Sequence, residues 1–223
     1  MYKKILIAED HDSEKNSIVD SLKKLGIPNV DQVQFCDDAL LRIRKGIYDK
    51  QPYELLITDL SFTPTFGKSE ITTGQELISK TRVLQPSIPI IVFTSNDKQF
   101  VIRSLSETLQ VQGYVCKGLQ GLKELSTAVK AVFDNESYYC PVAKGALKQR
   151  NVLEIGDYEL LLLKLLVEGK KQKDIAVYFK EQQILPDSVR SIEGRISKLK
   201  DHFNASTLPQ LIHIAYKLGM IQD

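Results

Sequence analysis

Residues 1–133 alternate short apolar runs with segments of helical spacing, and this alternation restricts the possible folds more than any other feature of the chain. The strand-like runs lie near 3–8, 30–35, 53–58, 88–94 and 112–116. Between them, apolar residues recur at intervals of three and four, as in Ile18, Leu22 and Leu25. Five strand-then-helix units predict an α/β domain, in which a parallel sheet carries helices on both faces.

The pattern changes after residue 133. Residues 134–150 contain Pro141 and Gly145, and we interpret them as a linker with room for one short helix. No strand-like run follows this segment. Instead, helical spacing predicts four short helices at 157–167, 172–181, 187–201 and 208–218. Residues 151–223 are therefore predicted to form a small all-α domain.

The composition is that of a soluble globular protein, with 43% hydrophobic and 26% charged residues. No apolar run approaches the roughly 20 residues of a membrane span. Because the first strand follows Met1 within two residues, we expect no secretory signal, a cytoplasmic protein and no membrane partner. Cys36, Cys116 and Cys140 are odd in number and widely spaced, which fits incidental or buried thiols better than disulfides or a metal site.

Polar side chains follow the predicted strands at the point where each strand ends. Glu9 and Asp10 come directly after the first strand and Asp59 after the third, while Thr94 ends the fourth and Lys117 follows the fifth. Ligands bind beyond the carboxyl ends of the strands in open parallel sheets. Any one of these residues is more often an ordinary cap or loop residue, but together they predict a site at this edge.

The chemistry of these residue types suits phosphoryl transfer. Three carboxylates in one crevice repel one another unless a cation compensates, and Mg²⁺ prefers oxygen ligands. Lys117 supplies an ammonium group and Thr94 a hydroxyl group, both of which suit phosphoryl oxygens. The predicted cofactor is therefore Mg²⁺, and the predicted reaction is transfer of a phosphoryl group to an aspartate.

Four segments carry a family resemblance: "ILIAEDHDS", "LLITDL", "IPIIVFTS" and "GYVCKG". With them, residues 1–133 resemble the receiver domain of two-component response regulators, a flavodoxin-like five-stranded parallel sheet. The resemblance implies that a sensor histidine kinase phosphorylates Asp59. It also implies that Thr94 and Lys117 contact the phosphoryl group and that Tyr114 is an aromatic side chain that changes rotamer on activation.

The same resemblance implies the metal ligands. Glu9 and Asp10 would hold Mg²⁺ together with Asp59 and the backbone carbonyl of Ser61. A hydrolytic phosphatase of related fold would carry a second acidic residue two positions beyond the acceptor, where this chain has Ser61. We therefore expect a regulator rather than an enzyme.

One loop departs from the receiver pattern. The segment "DLSFTPTFGKSEITTG" places extra polar residues between the acceptor and Gly74. Residues 62–73 are either an element that recognises a partner or a tolerated surface insertion, and the two interpretations are equally supported.

The predicted helix at 187–201 is apolar on one side and basic on the other. Its apolar residues recur at intervals of three and four: Val189, Ile192, Ile196, Leu199 and Phe203. The opposite face carries Arg190, Ser191, Gly194, Arg195 and Lys198, with Ser188 just before it. Such a helix suits the major groove of DNA, although a solvated basic face is the commoner reason for the pattern.

A second resemblance covers this region. "LEIGDYELLLLKLLVEGKKQKDIA" and "LIHIAYKLGMI" resemble the LuxR-type helix-turn-helix domain of the NarL/FixJ class. It implies double-stranded DNA as partner, control of transcription and a homodimer when phosphorylated. Lys171 and Lys173, at the start of the second helix, would contact phosphate.

An alternative of another class stays open. The chain could be a receiver that signals through protein contacts, with the C-terminal helices as an interaction module. Two observations support it: residues 151–223 carry ten basic and ten acidic side chains, and extra residues in "FKEQQILPDS" lengthen the turn before the predicted recognition helix.

Overall fold

The computed structural model describes residues 1–63, 70–148 and 155–221. The chain forms two compact units, the first of residues 1–97 and 102–148 and the second containing the four C-terminal helices. Within the described ranges, no helix is both long enough and apolar enough to span a lipid bilayer.

The first unit is a parallel sheet with helices, as predicted, but the sheet has six strands rather than the predicted five. Its strands are β1 (Lys4–Ala8), β2 (Asn29–Val33), β3 (Leu55–Thr58), β4 (Ile90–Thr94), β5 (Gly113–Cys116) and β6 (Tyr138–Tyr139). Its helices are α1 (Asp12–Lys24), α2 (Cys36–Tyr48), α3 (Gly74–Leu84), α4 (Gln99–Glu107, of which residues 102–107 belong to this unit), α5 (Gly121–Phe133) and α6 (Pro141–Lys148). The strand order is β2-β1-β3-β4-β5-β6, and every neighbouring pair is parallel.

The sheet is buried on both faces at its centre. Every residue of β3 and β4 is buried, as expected for parallel strands covered on both sides by helices. On one face, Ile18 and Leu22 of α1 pack with Leu125 and Val129 of α5. This packing holds the strand ends in place, so side chains just beyond them are positioned by a rigid scaffold.

The segment predicted as a linker contains regular structure. Strand β6 pairs with β5, and α6 follows it within the first unit. The Tyr139 hydroxyl donates a hydrogen bond to the Val111 carbonyl at 2.7 Å, which holds this edge. A two-residue strand is too short to produce a recognisable sequence pattern, so its pairing depends on contacts with distant residues. The predicted boundaries at 133 and 150 stay predictions.

The second unit consists of α7 (Asp157–Val167), α8 (Gln172–Glu181), α9 (Val189–His202) and α10 (Leu208–Leu218). These bounds agree closely with the predicted helices. Leu162, Ile175, Phe179, Ile196 and Leu211, which come from all four helices, form part of its buried core.

Candidate functional site

The carboxylates predicted at the strand ends meet at one edge of the sheet. Glu9, Asp10 and Asp59 each place a carboxylate oxygen within 4.8 Å of the other two. Glu9 is 1% exposed and Asp59 is 6% exposed, whereas Asp10 is half-buried. Three hard oxygen donors at this spacing fit a divalent cation such as Mg²⁺.

Lys117 joins three acidic side chains. Its Nζ atom donates to Asp59 Oδ2 at 2.7 Å and to Glu9 Oε2 at 2.8 Å, and also to Glu14. Burial lowers the pKa of Lys117, but the bonds to Asp59, Glu14 and Glu9 outweigh it and hold this pKa above its usual value. Lys117 is therefore a fixed positive charge beside the predicted phosphoacceptor.

The two acidic residues after β1 differ in their environment. Burial raises the pKa of Glu9 above its usual value, and the Lys117 contact opposes that rise. Partial burial also acts to raise the pKa of Asp10, but hydrogen bonds from Thr63 outweigh it and lower this pKa. Thr63 donates both its N–H, at 2.8 Å, and its hydroxyl, at 2.6 Å, to Asp10 Oδ2. Thr63, near the start of the long loop, thus binds one of the predicted metal ligands.

Backbone groups orient the Asp59 side chain. Its Oδ1 atom accepts from the Leu60 N–H at 2.5 Å and from the Ser61 N–H at 3.4 Å. Ser61 also forms an antiparallel bridge with Thr73. The structure therefore places Ser61 beside Asp59, and the role of its carbonyl as a metal ligand stays a prediction.

Thr94 and Tyr114 both contact Asn96, in the loop after β4. Thr94 is 1% exposed, and its hydroxyl oxygen accepts from the Asn96 N–H at 3.3 Å. The Tyr114 hydroxyl donates to the Asn96 carbonyl at 2.6 Å. Burial raises the pKa of Tyr114 above its usual value, so the hydroxyl keeps its proton and remains a donor. The predicted phosphate contact and the predicted switch aromatic thus share one loop residue.

Gly74 closes the base of the long loop against the acceptor. Its N–H donates to the Leu60 carbonyl at 3.0 Å, and a Cβ atom at this position would lie 1.8 Å from the Asp59 carbonyl oxygen. The backbone of α3 therefore begins in direct contact with the acceptor segment, which only glycine allows. Residues 64–69 of the loop interpreted above lie outside the described residues.

Sequence reasoning missed Glu14 and Thr63. Glu14 lies in the first turn of α1, where an acidic residue is usually explained by the helix dipole. Thr63 lies in a loop whose position no periodic pattern predicts. Glu14 contacts Lys117 and Thr63 contacts Asp10, and in each pair the two residues are far apart in the sequence.

The two faces of α9 are those that the sequence predicts. Ile192, Ile196 and Leu199 are buried, while Val189 and Phe203 at either end are partly buried. The apolar stripe is therefore confirmed as the side that packs on the rest of the unit.

The predicted DNA-contacting residues of α8 and α9 lie mostly at the surface. Arg190, Gly194 and Lys198 are exposed, as are Lys171 and Lys173 at the start of α8. Among the described residues, no atom lies within 4 Å of a Cβ built at Gly194, so packing inside the protein does not require glycine there.

The serines at the start of α9 have a local role. The Ser188 side chain accepts from the Ser191 N–H at 3.1 Å and so caps the helix. Their two hydroxyl oxygens are 2.7 Å apart, and either can donate. Ser188 is exposed and Ser191 partly buried, so capping is one function of the pair, and a contact with DNA stays a prediction.

Arg195 is bound within its own unit. Its Nη1 atom lies 2.7 Å from Glu159 Oε1, a side chain that is only 10% exposed. The guanidinium also lies over the Tyr158 ring, 5.4 Å from its centroid. Unlike Arg190, Arg195 therefore has an intramolecular partner in α7 that a DNA contact would have to replace.

Comparisons with known proteins cover nearly the whole chain. No protein-family model matches it. The chain is 23% identical to the virulence-factor transcription regulator BvgA of Bordetella pertussis over 96% of this chain and 97% of that protein. Its structure is similar to the Salmonella typhimurium response regulator RcsB, with a TM-score of 0.69 and 20% identity over 96% of this chain and 99% of that one.

A complex of the two-component response regulator RcsB with DNA is also similar, with a TM-score of 0.66 and 20% identity over the full length of both chains. These matches include both units of the structure and their order in the chain. The chain therefore shares the fold and the domain order of these response regulators, with a parallel α/β domain followed by a helical domain.

Proposed function

We propose that the chain is a DNA-binding transcriptional regulator that a sensor histidine kinase activates by phosphorylating Asp59. The observation that carries the proposal is the position of Asp59, which lies among Glu9, Asp10 and Lys117 at the carboxyl edge of the sheet. The full-length similarity to BvgA, named as a transcription regulator, supports a role in transcription.

The predicted metal site fits this role. Glu9, Asp10 and Asp59, with the backbone carbonyl of Ser61, would hold Mg²⁺. When bound, the cation would neutralise negative charge on the carboxylates and on the incoming phosphoryl group.

Asp59 is the nucleophile in this proposal. One of its carboxylate oxygens attacks the phosphorus atom of the phosphohistidine donor, and the bond from phosphorus to the imidazole nitrogen breaks. The imidazole takes up a proton, and Asp59 becomes an acyl phosphate. The Leu60 N–H holds Oδ1 and Lys117 holds Oδ2, so the carboxylate is oriented before the donor arrives.

Phosphorylation of Asp59 would change the conformation of the loop after β4. Thr94 would turn its hydroxyl group toward the phosphoryl oxygens, which alters the bond that it accepts from Asn96. Tyr114 donates to the carbonyl of the same residue. A shift of this loop therefore changes the environment of Tyr114, the predicted switch aromatic.

The second unit would bind double-stranded DNA as part of a phosphorylation-dependent homodimer. Helix α9 would enter the major groove, with the exposed Arg190 near its N-terminus reaching base edges. Lys198, and Lys171 and Lys173 at the start of α8, would contact phosphates. The similar RcsB protein has been solved with DNA.

The phosphorylation step is tested with acetyl phosphate as donor and intact-mass measurement as readout. We expect one phosphate adduct in the presence of Mg²⁺, none in its absence, and none in Asp59→Asn. Asp97→Asn, which removes an exposed carboxylate three residues beyond Thr94, should keep the adduct. An adduct of equal size in Asp59→Asn would overturn the assignment.

DNA binding is tested by salt titration of Arg190→Ala and Lys198→Ala on a mapped site and on a scrambled one. We expect Arg190→Ala to weaken the free energy of DNA binding by roughly 1–3 kcal/mol, on the mapped site alone. Lys198→Ala should weaken both DNAs alike and lower the salt slope by about one unit. If neither variant loses affinity, the interpretation as a protein-interaction module replaces this one.

A further inference from the structure

Two cysteines far apart in the sequence meet at the edge of the sheet. Cys116 is the last residue of β5, and Cys140 stands between β6 and α6. Their Sγ atoms are 3.3 Å apart. The Cys140 N–H donates to the Tyr114 carbonyl at 2.9 Å, so the parallel pairing of β5 with β6 sets the position of Cys140 relative to Cys116.

We propose that Cys116 and Cys140 are a redox-active pair that a peroxide oxidises to a reversible intramolecular disulfide. A disulfide bond is about 2.05 Å long, so two sulfur atoms 3.3 Å apart need to approach by only about 1.3 Å. Rotation of the two side chains about their Cα–Cβ bonds moves the sulfur atoms while the backbone stays in place.

The electrostatic environment supports the same chemistry, since a thiolate is the reactive form of cysteine. The contact with the Cys116 thiol lowers the pKa of Cys140, burial opposes this, and the Ala143 N–H in α6 adds to the lowering. The same contact raises the pKa of Cys116 above its usual value. The two pKa values thus move in opposite directions, which favours a thiolate at Cys140 beside a protonated thiol at Cys116.

Cys36 offers a comparison within the same chain. Burial, with the nearby carboxylate of Asp37 adding to it, raises the pKa of Cys36 to about 12. At neutral pH this thiol keeps its proton and reacts slowly. Cys116 is half-buried, so a small oxidant can reach the pair from its side of the contact.

The proposed oxidation uses hydrogen peroxide as the oxidant. The thiolate sulfur attacks one peroxide oxygen, the O–O bond breaks, and a sulfenic acid and hydroxide form. The second sulfur then attacks the sulfenic sulfur, the S–O bond breaks, and the released hydroxide takes the remaining thiol proton. The hydroxide from the first step takes up the proton that was released when the thiolate formed. In sum, two thiols and one peroxide give one disulfide and two waters, and an external thiol reverses the change.

The disulfide would fasten the start of α6 to the end of β5. Cys116 directly precedes Lys117 in the chain, so the bond would form beside the residue that holds Asp59. On its other side, α6 is attached to α4, because Arg103 donates to the carbonyls of Ala146 and Leu147 at 3.2 Å. Oxidation would thus restrain the last segment of the first unit on the sheet.

The test is mass spectrometry of the full chain, first reduced and then treated with hydrogen peroxide. We expect the intact mass to fall by two hydrogen atoms and a proteolytic digest to contain a peptide that links Cys116 to Cys140. Dithiothreitol should restore the original mass. Cys36→Ser is the matched control and should lose the same two hydrogens, whereas Cys116→Ser and Cys140→Ser should not.

Three results would overturn the proposal. The first is wild-type protein that accumulates sulfinic or sulfonic acid without the linked peptide. The second is a disulfide that includes Cys36, and the third is a covalent dimer in place of the intramolecular bond. The peptide digest of the wild type decides the matter even if Cys140→Ser, which changes a buried residue, does not fold.

Discussion

The Nζ atom of Lys117 lies 2.7 Å from Oδ2 of Asp59, although the two residues are far apart in the sequence. The same ammonium group donates to Glu9 and Glu14, so one cation offsets part of the charge of three carboxylates. Opposite charges attract more strongly where water is excluded. The positive charge is therefore already in place where a phosphoryl group on Asp59 would bring negative charge.

Lys117→Met should lower the free energy of unfolding by about 3 kcal/mol in metal-free buffer, because breaking a buried ion pair leaves its partners without a counter-charge. The variant should also bind Mg²⁺ more tightly than the wild type, since the cation then becomes the main counter-charge for the carboxylates. Chemical denaturation with and without Mg²⁺ measures both effects. Lys123→Met, which removes an exposed lysine of α5, is the control; an equal Mg²⁺ dependence of all three proteins would contradict this expectation.

Thr63→Val should weaken Mg²⁺ binding by roughly tenfold, because hydrogen bonds that orient a metal-ligating carboxylate contribute about that much to affinity. The substitution removes the hydroxyl that donates to Asp10 and leaves the N–H donor. Calorimetric titration with Mg²⁺ gives the affinity directly. Thr72→Val, at the other end of the loop, is the control. It removes a hydroxyl that donates to Glu76 and should leave the Mg²⁺ affinity unchanged. Tighter binding in Thr63→Val would mean that Thr63 competes with the metal for Asp10.

Gly74→Ala should destabilise the first unit by at least about 2 kcal/mol, since even one added methyl group strains a packed site. Its Cβ atom would lie 1.8 Å from the Asp59 carbonyl oxygen, so the backbone beside the acceptor has to move. Thermal unfolding measures the loss. Gly145→Ala in α6 is the matched control, because no described atom lies within 4 Å of its Cβ and alanine favours a helix. If Gly74→Ala and Gly145→Ala are equally stable, the backbone beside Asp59 moves without a loss of stability, which contradicts this expectation.

Arg195 should contribute mainly to stability and Arg190 mainly to DNA binding. Arg195→Met should destabilise the second unit by about 1–2 kcal/mol, because it leaves the largely buried Glu159 without its partner. Arg190 is exposed, so Arg190→Met should change stability by less than about 0.5 kcal/mol and act on DNA binding instead. Urea unfolding of both variants, with binding to one DNA fragment measured in parallel, separates the two effects. A loss of stability in Arg190→Met alone would reverse these roles.

Local pattern predicts much of this protein. The apolar runs that end on Glu9, Asp59 and Thr94 identify three strands of the sheet and the edge where the site lies, because parallel strands end together. Intervals of three and four predict the buried face of α9, since a helix turns once every 3.6 residues. These features depend on residues that are close together in the sequence, so the pattern of a single sequence is enough to predict them.

The remaining features arise from contacts between distant residues. Neither the bond that Lys117 donates to Glu14 nor the one that Thr63 donates to Asp10 follows from spacing, because each depends on how one part of the fold is placed against another. The approach of Cys116 to Cys140 depends likewise on the pairing of a two-residue strand with β5. Arg195 belongs to the basic face of α9 by sequence, yet packing of α7 against the same core brings the Glu159 carboxylate within its reach. Periodicity specifies which face of an element is buried, while the partner of each side chain is set by how the elements pack together.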